Sequence, residues 1–406
     1  MGMDIYYSET PSVTLLLTKL KMSNDLTAID SSPGFYFKMS YQFLKQTDAI
    51  VRYGSDDEQK FTGIRSSSSL CHVIFPACDK KPCYIQSPNF PGLYPRNTTC
   101  YYHVTQNQVP SGNSNTTALI TLRQRRPQLI NVKSAKQPLD TEERHLKLYD
   151  DCYYVGDYVR VYDGNSTKSP VLLTFCRGAS LPDITSSGSS LLIEFTTSPY
   201  DSPSHDYPWK YISGFELVAE TKFVSKTLHV GSSCYQILTL QKNSTGWISA
   251  PLHSITPNTS CVWDFRGPPG YIVWIVFARY ARDTQVRRHH TTLCEARITI
   301  QDGSSGSNNT SLTSHCRDTL PKTCDRIARL VHGNSTVPPC GPYESYITQG
   351  EQASITQEYG EGSLVTKVRF LAMYEFIDAR QVGEKRFSPC SRLIRNEGGP
   401  GPHKLS

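Results

Sequence analysis

The residues whose types and spacing could do chemistry are thirteen cysteines and eight N-x-[S/T] sequons, in a chain of 406 residues. Cys71, Cys78, Cys83, Cys100, Cys152, Cys176, Cys234, Cys261, Cys294, Cys316, Cys324, Cys340 and Cys390 stand in small clusters, without the paired C-x-x-C spacing of a zinc site. Their expected chemistry is oxidation to disulfides, which persist in the secretory pathway and outside the cell. The sequons at Asn97, Asn115, Asn165, Asn243, Asn258, Asn308, Asn309 and Asn334 fall among these cysteines and are acceptors for N-linked glycan in the same compartment. An extracellular or cell-surface location follows. The start, Met1-Gly-Met-Asp-Ile-Tyr-Tyr-Ser-Glu, has no basic region or apolar core of a signal peptide, and Tyr6 breaks the myristoylation pattern. That start and the odd cysteine count lead to the expectation of a piece of a longer protein, with any membrane attachment through a flank.

Other reactive groupings are sparse. The sequence has no G-x-S-x-G elbow and no H-E-x-x-H pair, and its histidines are scattered, with His289-His290 in a basic loop from Arg282 to His290. No catalytic residue is expected. Arg123-Gln-Arg-Arg126 matches a dibasic processing pattern, but Pro127 opposes cleavage there. With Lys133, Lys136, Arg144 and Lys147 it makes a polar, positive insert over residues 123–145 and just beyond, a candidate for a sulfated glycan. The net charge of +6 is otherwise dispersed, so no nucleic-acid partner is expected. Trp209, with Tyr207 and Tyr211 in a turn-rich segment, is a candidate partner contact, because rigid aromatics bury much area at low entropy cost. Trp247, Trp263 and Trp274 read as core or sheet-face residues.

The elements that must position these residues are strands. Apolar residues are 38% of the chain, aromatics 11%, and Gly and Pro number 26 each, which favours β-sandwiches over helical bundles. The longest apolar run, Tyr271–Ala278, is too short to span a membrane and reads as a buried strand. Strands are also expected at 12–20 and 34–44, then at 101–104, 119–122, 158–162, 171–175, 191–195, 214–218 and 365–376. The polar stretch 46–70, with the serine run Ser66–Ser69, reads as a linker.

One order of residues is specific. Cys83, Ser87-Pro-Asn-Phe-Pro91, Tyr94-Pro95, Asn97 and Cys100 are followed by Cys152, Asp157-Tyr-Val-Arg-Val-Tyr-Asp-Gly164, Cys176 and Gly214-Phe215. This series resembles the CUB domain. A weaker echo follows: Cys234, Ile248-Ser-Ala-Pro251, Asn258-Thr-Ser-Cys261, Cys294, Asp302-Gly303 and Cys316. The resemblance implies an all-β fold of tandem CUB-type antiparallel β-sandwiches of jelly-roll kind. Its expected division is a C-terminal remnant of a CUB domain at 1–45, a linker at 46–70, a CUB domain at 71–224, a divergent CUB-like domain at 225–385, and the start of a further truncated domain or linker at 386–406. The divergent unit, with its extra Cys324 and Cys340, resembles suppressor-of-lurcher-type proteins, tandem CUB proteins that are auxiliary partners of glutamate receptors.

The resemblance also carries site expectations. The disulfides expected from it are Cys83–Cys100, Cys152–Cys176 and Cys234–Cys261, with Cys71–Cys78 paired by proximity. Cys294, Cys316, Cys324 and Cys340 form two bonds, as Cys294–Cys316 with Cys324–Cys340 or as Cys294–Cys340 with Cys316–Cys324. Many CUB domains hold calcium through a Glu and two Asp residues. Asp157 matches the central Asp, the upstream Glu has no match, and Ser198 stands near the late Asp position with Asp201 three residues on. A hard cation needs several anionic oxygens, so Asp157 and Asp201 are weak candidates, calcium is not favoured, and no other cofactor is implied. In the second unit Ala296 and Arg297 follow Cys294 and leave no ligand. The function implied is an extracellular, non-enzymatic protein–protein interaction module that binds a membrane receptor's extracellular domain or another cell-surface protein. The alternatives are the substrate-positioning arm of a secreted tolloid-like metalloprotease and an adhesive glycan-binding protein.

Overall fold

Alternating apolar and polar residues place successive side chains on opposite faces of a strand, and that alternation runs through the chain. The computed structural model describes residues 12–15, 38–43, 63–66, 71–88, 90, 94–107, 115–124, 147–148, 152, 157–176, 181–198, 214–226, 231–240, 244–284, 294, 296–303, 311–316, 319–332, 340–379, 384–385 and 392–393. Their architecture is almost wholly antiparallel β.

The first unit contains β1 (Ile64–Arg65), β2 (His72–Pro76), β3 (Cys83–Gln86), β4 (Thr99–Thr105), β5 (Thr116–Gln124), β6 (Lys147–Leu148), β7 (Tyr158–Tyr162), β8 (Val171–Cys176), β9 (Ile184–Thr185), β10 (Ser190–Thr196) and β11 (Glu216–Ser225). One sheet has the order β1-β2-β4-β10-β7-β8-β6, and the other β3-β11-β5-β9. Among the described strands of this unit, only β2 and β4 run parallel. Val104, Val161, Ile193 and Phe195 of the larger sheet meet Ile85, Ile120, Leu122 and Leu217 of the smaller in one buried cluster. Gly214 lets the chain enter β11: at φ +84° a side chain is disfavoured, and a Cβ would lie 1.9 Å from Ser87 Oγ. The freed space lets Phe215 exchange two hydrogen bonds with Ser87, donating its N–H to the side-chain Ser87 Oγ and accepting at its carbonyl from Ser87 N.

The second unit contains β12 (Tyr235–Thr239), β13 (Thr245–Ser249), β14 (Thr259–Arg266), β15 (Tyr271–Thr284), β16 (Ala296–Asp302), β17 (Ser311–Cys316), β18 (Tyr346–Ile347), β19 (Gln352–Tyr359) and β20 (Thr366–Asp378). Its sheets are β12-β14-β19-β16-β17 and β13-β20-β15-β18, and again the first pair, β12 with β14, is parallel. Strand for strand this repeats β2-β4-β10-β7-β8 and β3-β11-β5-β9. The echo seen weakly in sequence is therefore a full repeat in topology. A segment absent from the first unit covers the outer face of the smaller sheet: Cys324, Ile327 and Cys340 pack on Ile272, Trp274, Val276 and Met373 as a separate apolar layer. A 3₁₀ turn, Asp325–His332, lies within it.

The units touch. Ser254 N–H donates to Thr185 O at 2.8 Å, and Thr185 N–H donates to Ser254 Oγ at 2.9 Å, so a loop of the second unit pairs with edge strand β9 of the first. Leu364 and Val365 of the second unit join the buried cluster of the first.

Three sequence expectations need correction. Cys71 bonds Cys100 (Cα–Cα 5.0 Å) and Cys78 bonds Cys83 (Cα–Cα 5.5 Å), in place of Cys83–Cys100 and Cys71–Cys78. The reason is sheet membership: Cys71 precedes β2, which pairs with β4 so that His72 faces Tyr101, whereas Cys83 opens β3 in the opposite sheet beside Ala219. The stretch read as linker contributes β1, whose Ile64 and Arg65 pair with Ile74 and Val73. Of the strands expected at 12–20 and 34–44, the described residues 12–15 and 38–43 form none, and the rest of both stretches lies outside the described residues. Val13, Leu15, Met39, Tyr41 and Phe43 are exposed; a strand needs a neighbour to satisfy its backbone, and these residues pair with none of the strands described. The remaining bonds are Cys152–Cys176, Cys234–Cys261, Cys294–Cys316 and Cys324–Cys340. Cys390 lies outside the described residues.

Candidate interaction surfaces

Asp157 immediately precedes β7 and is fully buried. Its Oδ2 accepts from Tyr94 Oη at 2.7 Å and from the Arg96 guanidinium, and its Oδ1 accepts from Ser198 N at 2.8 Å. Two segments, 94–96 and the one at Ser198, are thus tied to the carboxylate that precedes β7. Arg96 supplies a positive charge beside the Asp157 carboxylate, and Ser198, near the expected late Asp, presents an N–H donor to it. Among the described residues no group of three or more His, Cys, Asp or Glu is arranged to hold a metal. Asp201, Trp209, Tyr207 and Tyr211 lie outside the described residues, as do Asn243, Asn308, Asn309 and Asn334.

Asn97, Asn115, Asn165 and Asn258 are exposed. Asn97 and Asn258 occupy equivalent turns, each three residues before a disulfide cysteine, with φ of 54° and 55°. Asn97 N–H donates to Ser198 O and Asn258 N–H to Gly360 O. Asn tolerates this left-handed conformation better than most residues, so the turn itself is one reason for Asn at both positions.

A surface that sequence reasoning missed lies on the outer face of the larger sheet of the first unit. Register aligns His72, Tyr101, Glu194, Arg160 and Thr174 in one row across β2, β4, β10, β7 and β8. The next row is Ile74, His103, Leu192, Tyr162 and Val171. Glu194, 7% exposed, sits at the centre. It accepts from Tyr158 Oη at 3.0 Å and from Tyr162 Oη at 2.8 Å. Arg160 stacks over the Tyr158 ring at 4.9 Å and donates Nε–H to Thr174 Oγ1. His72 and Tyr101 meet edge to face at 5.0 Å. Burial first, and then Glu194, push the Tyr101 hydroxyl above its ordinary value. Burial is also the largest cause for Tyr158 and Tyr162, with Glu194 adding to it, so these hydroxyls stay donors at neutral pH. Burial and then the neighbouring His72 lower His103. The signal was present in Tyr158-Val-Arg-Val-Tyr162: Val159 and Val161 point into the core, and Tyr158, Arg160 and Tyr162 alternate outward.

The corresponding face of the second unit is different. Its row is Tyr235, Val262, Thr356, Thr299 and Ser314, uncharged and polar apart from Val262. Arg123, expected in a solvated insert, ends inside β5, within 3.2 Å of Asp183 and 3.7 Å of Glu220.

Repeated sheet order and six disulfides define a protein of two tandem, disulfide-bonded β-sandwiches. The CUB domain family model matches residues 125–210, within the first unit. Over 121 residues the chain is 33% identical to an astacin-like metalloendopeptidase of Coturnix japonica, covering 30% of this chain and 23% of that protein. It is 25% identical over 166 residues to cubilin of Homo sapiens, covering 41% of this chain and 4% of cubilin. Among solved structures, the CUB1-EGF-CUB2 domains of rat MASP-1 align at 16% identity and a TM-score of 0.25, over 75% of this chain and 99% of that one. The chain spans less than a quarter of the length of these curated relatives.

Proposed function

We propose that this chain is an extracellular, non-enzymatic module that binds another protein through the outer face of its first sandwich. The observation that supports this most is the row His72, Tyr101, Glu194, Arg160 and Thr174, flanked by Tyr158 and Tyr162. Tyr and Arg dominate binding hot spots because they bury large area and carry a polar tip. Here they are held in place before a partner arrives, which reduces the ordering cost of association. The disulfides and exposed sequons fit an oxidising, glycosylating compartment. The domain limits we propose are 71–224 and 225–385. The partner class is the extracellular domain of a membrane receptor, with the receptor-auxiliary role of suppressor-of-lurcher-type proteins as the specific form.

A second reading, a substrate-positioning arm of a secreted metalloprotease, is favoured by the resemblance to the astacin-like metalloendopeptidase. Both readings place the binding surface on this chain and differ in the protein bound. The test is binding of the full glycosylated chain to arrays of receptor ectodomains and of secreted protease substrates. Tyr101→Ala and Arg160→Ala should each weaken a receptor interaction by roughly tenfold or more while leaving the melting temperature nearly unchanged. Unchanged affinity in both variants would overturn the assignment of this face. Binding only to secreted substrates would favour the protease arm, and binding abolished by heparin would favour the glycan reading.

A further inference from the structure

A carboxylate stands among apolar residues on the outer face of the smaller sheet of the second unit. Side chains alternate across a strand. Tyr374 and Phe376 of β20 turn to the main core of the unit, and Met373 and Ile377 turn to the separate apolar layer. Glu375, between those two, therefore belongs to the face that carries the layer. Register sets Thr245 of β13 on one side of it and Trp274 of β15 on the other. Trp247 of β13 is opposite Met373, which makes it the diagonal neighbour of Glu375 on the same face, within reach of a long side chain.

The position is open toward β13. Trp274 is 3% exposed and packs in one cluster with Cys324, Ile327 and Cys340 of the clipped segment. Thr245 is exposed, and Glu375 and Trp247 are half-buried. The approach from solvent thus passes Thr245 and Trp247.

Among the described residues no hydrogen bond or ion pair reaches the Glu375 side chain. Burial alone, with no charge or donor to offset it, holds its carboxyl above the usual carboxylate range. Other carboxylates in this chain are treated differently: Asp157, Asp264 and Glu344 each receive an arginine guanidinium, from Arg96, Arg266 and Arg326. A carboxylate drawn part-way out of water without a counter-charge is unfavourable. A cation arriving there finds part of the desolvation already done.

We propose that Glu375 receives an arginine side chain of a partner protein, its guanidinium forked onto the two carboxylate oxygens and laid against Trp247. Neither oxygen has a partner among the described residues, which suits the paired N–H donors of a guanidinium. A guanidinium is also more weakly hydrated than an ammonium and stacks on aromatic faces, so it suits an apolar surround better than a lysine does. The site is on the other sandwich from the Glu194 face and does not depend on it.

Nα-acetyl-arginine amide is a suitable probe, with Nα-acetyl-citrulline amide as its uncharged counterpart of nearly the same shape. Binding to the full chain is read by saturation-transfer NMR of the probe. In the chain with ¹³C-carboxyl-labelled glutamate it is also read at the Glu375 signal, identified by its loss in Glu375→Gln. The arginine probe should bind saturably, with a dissociation constant of about a millimolar, and move that signal. The citrulline probe, and the arginine probe on Glu375→Gln, should each bind roughly tenfold more weakly. Nα-acetyl-lysine amide should fall between the two probes, and Trp247→Leu should weaken arginine binding about threefold. Glu375→Gln removes an unpaired charge, so its melting temperature should not fall; a fall would reveal a partner within the chain and overturn the proposal. Equal binding of arginine and citrulline, an unmoved Glu375 signal, or full binding by Glu375→Gln would overturn it as well, and lysine binding tighter than arginine would overturn the guanidinium assignment.

Discussion

Asp157 shows how one residue can keep its place in a pattern and be tied to hydrogen-bond donors there. A calcium-binding carboxylate needs other anionic oxygens nearby; here its neighbours are three donors, one of them a guanidinium. We expect millimolar calcium to leave the melting temperature of the chain unchanged. Asp157→Ala, measured by urea unfolding, should cost about 3 kcal/mol, because it removes the buried carboxylate to which the Arg96 guanidinium and the Tyr94 hydroxyl donate. A calcium-induced rise of several degrees that Asp157→Ala abolishes would reverse this assignment. Glu194 makes a second residue-level expectation. The hydroxyls of Tyr158 and Tyr162 have folded-state pKa values above their unfolded ones. Their contribution is therefore complete below the ordinary tyrosine pKa and is lost as pH rises through the raised folded values. Stability should fall on the alkaline side, and Tyr158→Phe with Tyr162→Phe should flatten that fall. An unaltered alkaline slope would show that these two tyrosines do not set it.

Elements were legible where both faces of a strand left a mark. Val159 and Val161 alternate with Tyr158 and Tyr162, and Cys100, Tyr102 and Val104 are the buried half of β4. Pairing between elements was harder to read. The motif beginning at Cys83 drew attention from Cys71, although the repeat held the answer: Cys234 directly precedes β12 and bonds Cys261 of β14, as Cys71 directly precedes β2 and bonds Cys100 of β4. A non-reducing digest should yield Cys71–Cys100 and Cys78–Cys83 linked peptides, and a Cys83–Cys100 peptide would contradict the sheet assignment. The Glu194 row escaped notice because it exists only once five strands are in register. The layer closed by Cys324–Cys340 was equally hidden, since its apolar residues Ile327 and Trp274 are far apart in sequence and share no period. Replacing both cysteines by serine should cost about 3 kcal/mol for a loop of this length, with a sequence separation of 16. Amide exchange should accelerate in 319–347 and on β18 while β14 and β19 stay protected; uniform loss of protection would mean that the layer is integral to the sandwich.

At the scale of the whole molecule, the two sandwiches share an interface that is small but bonded on both sides. Ser254 acts as a one-residue strand neighbour for Thr185, donating its backbone N–H to Thr185 O and accepting the Thr185 N–H at its side-chain Oγ along the edge of β9. Ile255, in the next position, is buried in the second core, and Ser363 locks that loop by accepting from Ile255 N and donating its own N–H to Ile255 O. Leu364 and Val365 then reach into the first core at 5% and 2% exposed. Each buried aliphatic side chain contributes about 1.5–3 kcal/mol relative to exposure, so the pair couples the units by an amount comparable with the stability of a marginal domain. The units should therefore unfold together, with a calorimetric enthalpy equal to the van't Hoff value. Val365→Asp puts a charge into that cluster and should divide the transition into two, while each unit keeps its strand content by circular dichroism. Two transitions already present in the unaltered chain would show that the sandwiches are joined by their connecting segment alone, and a single one persisting in Val365→Asp would show that the coupling does not run through this pair.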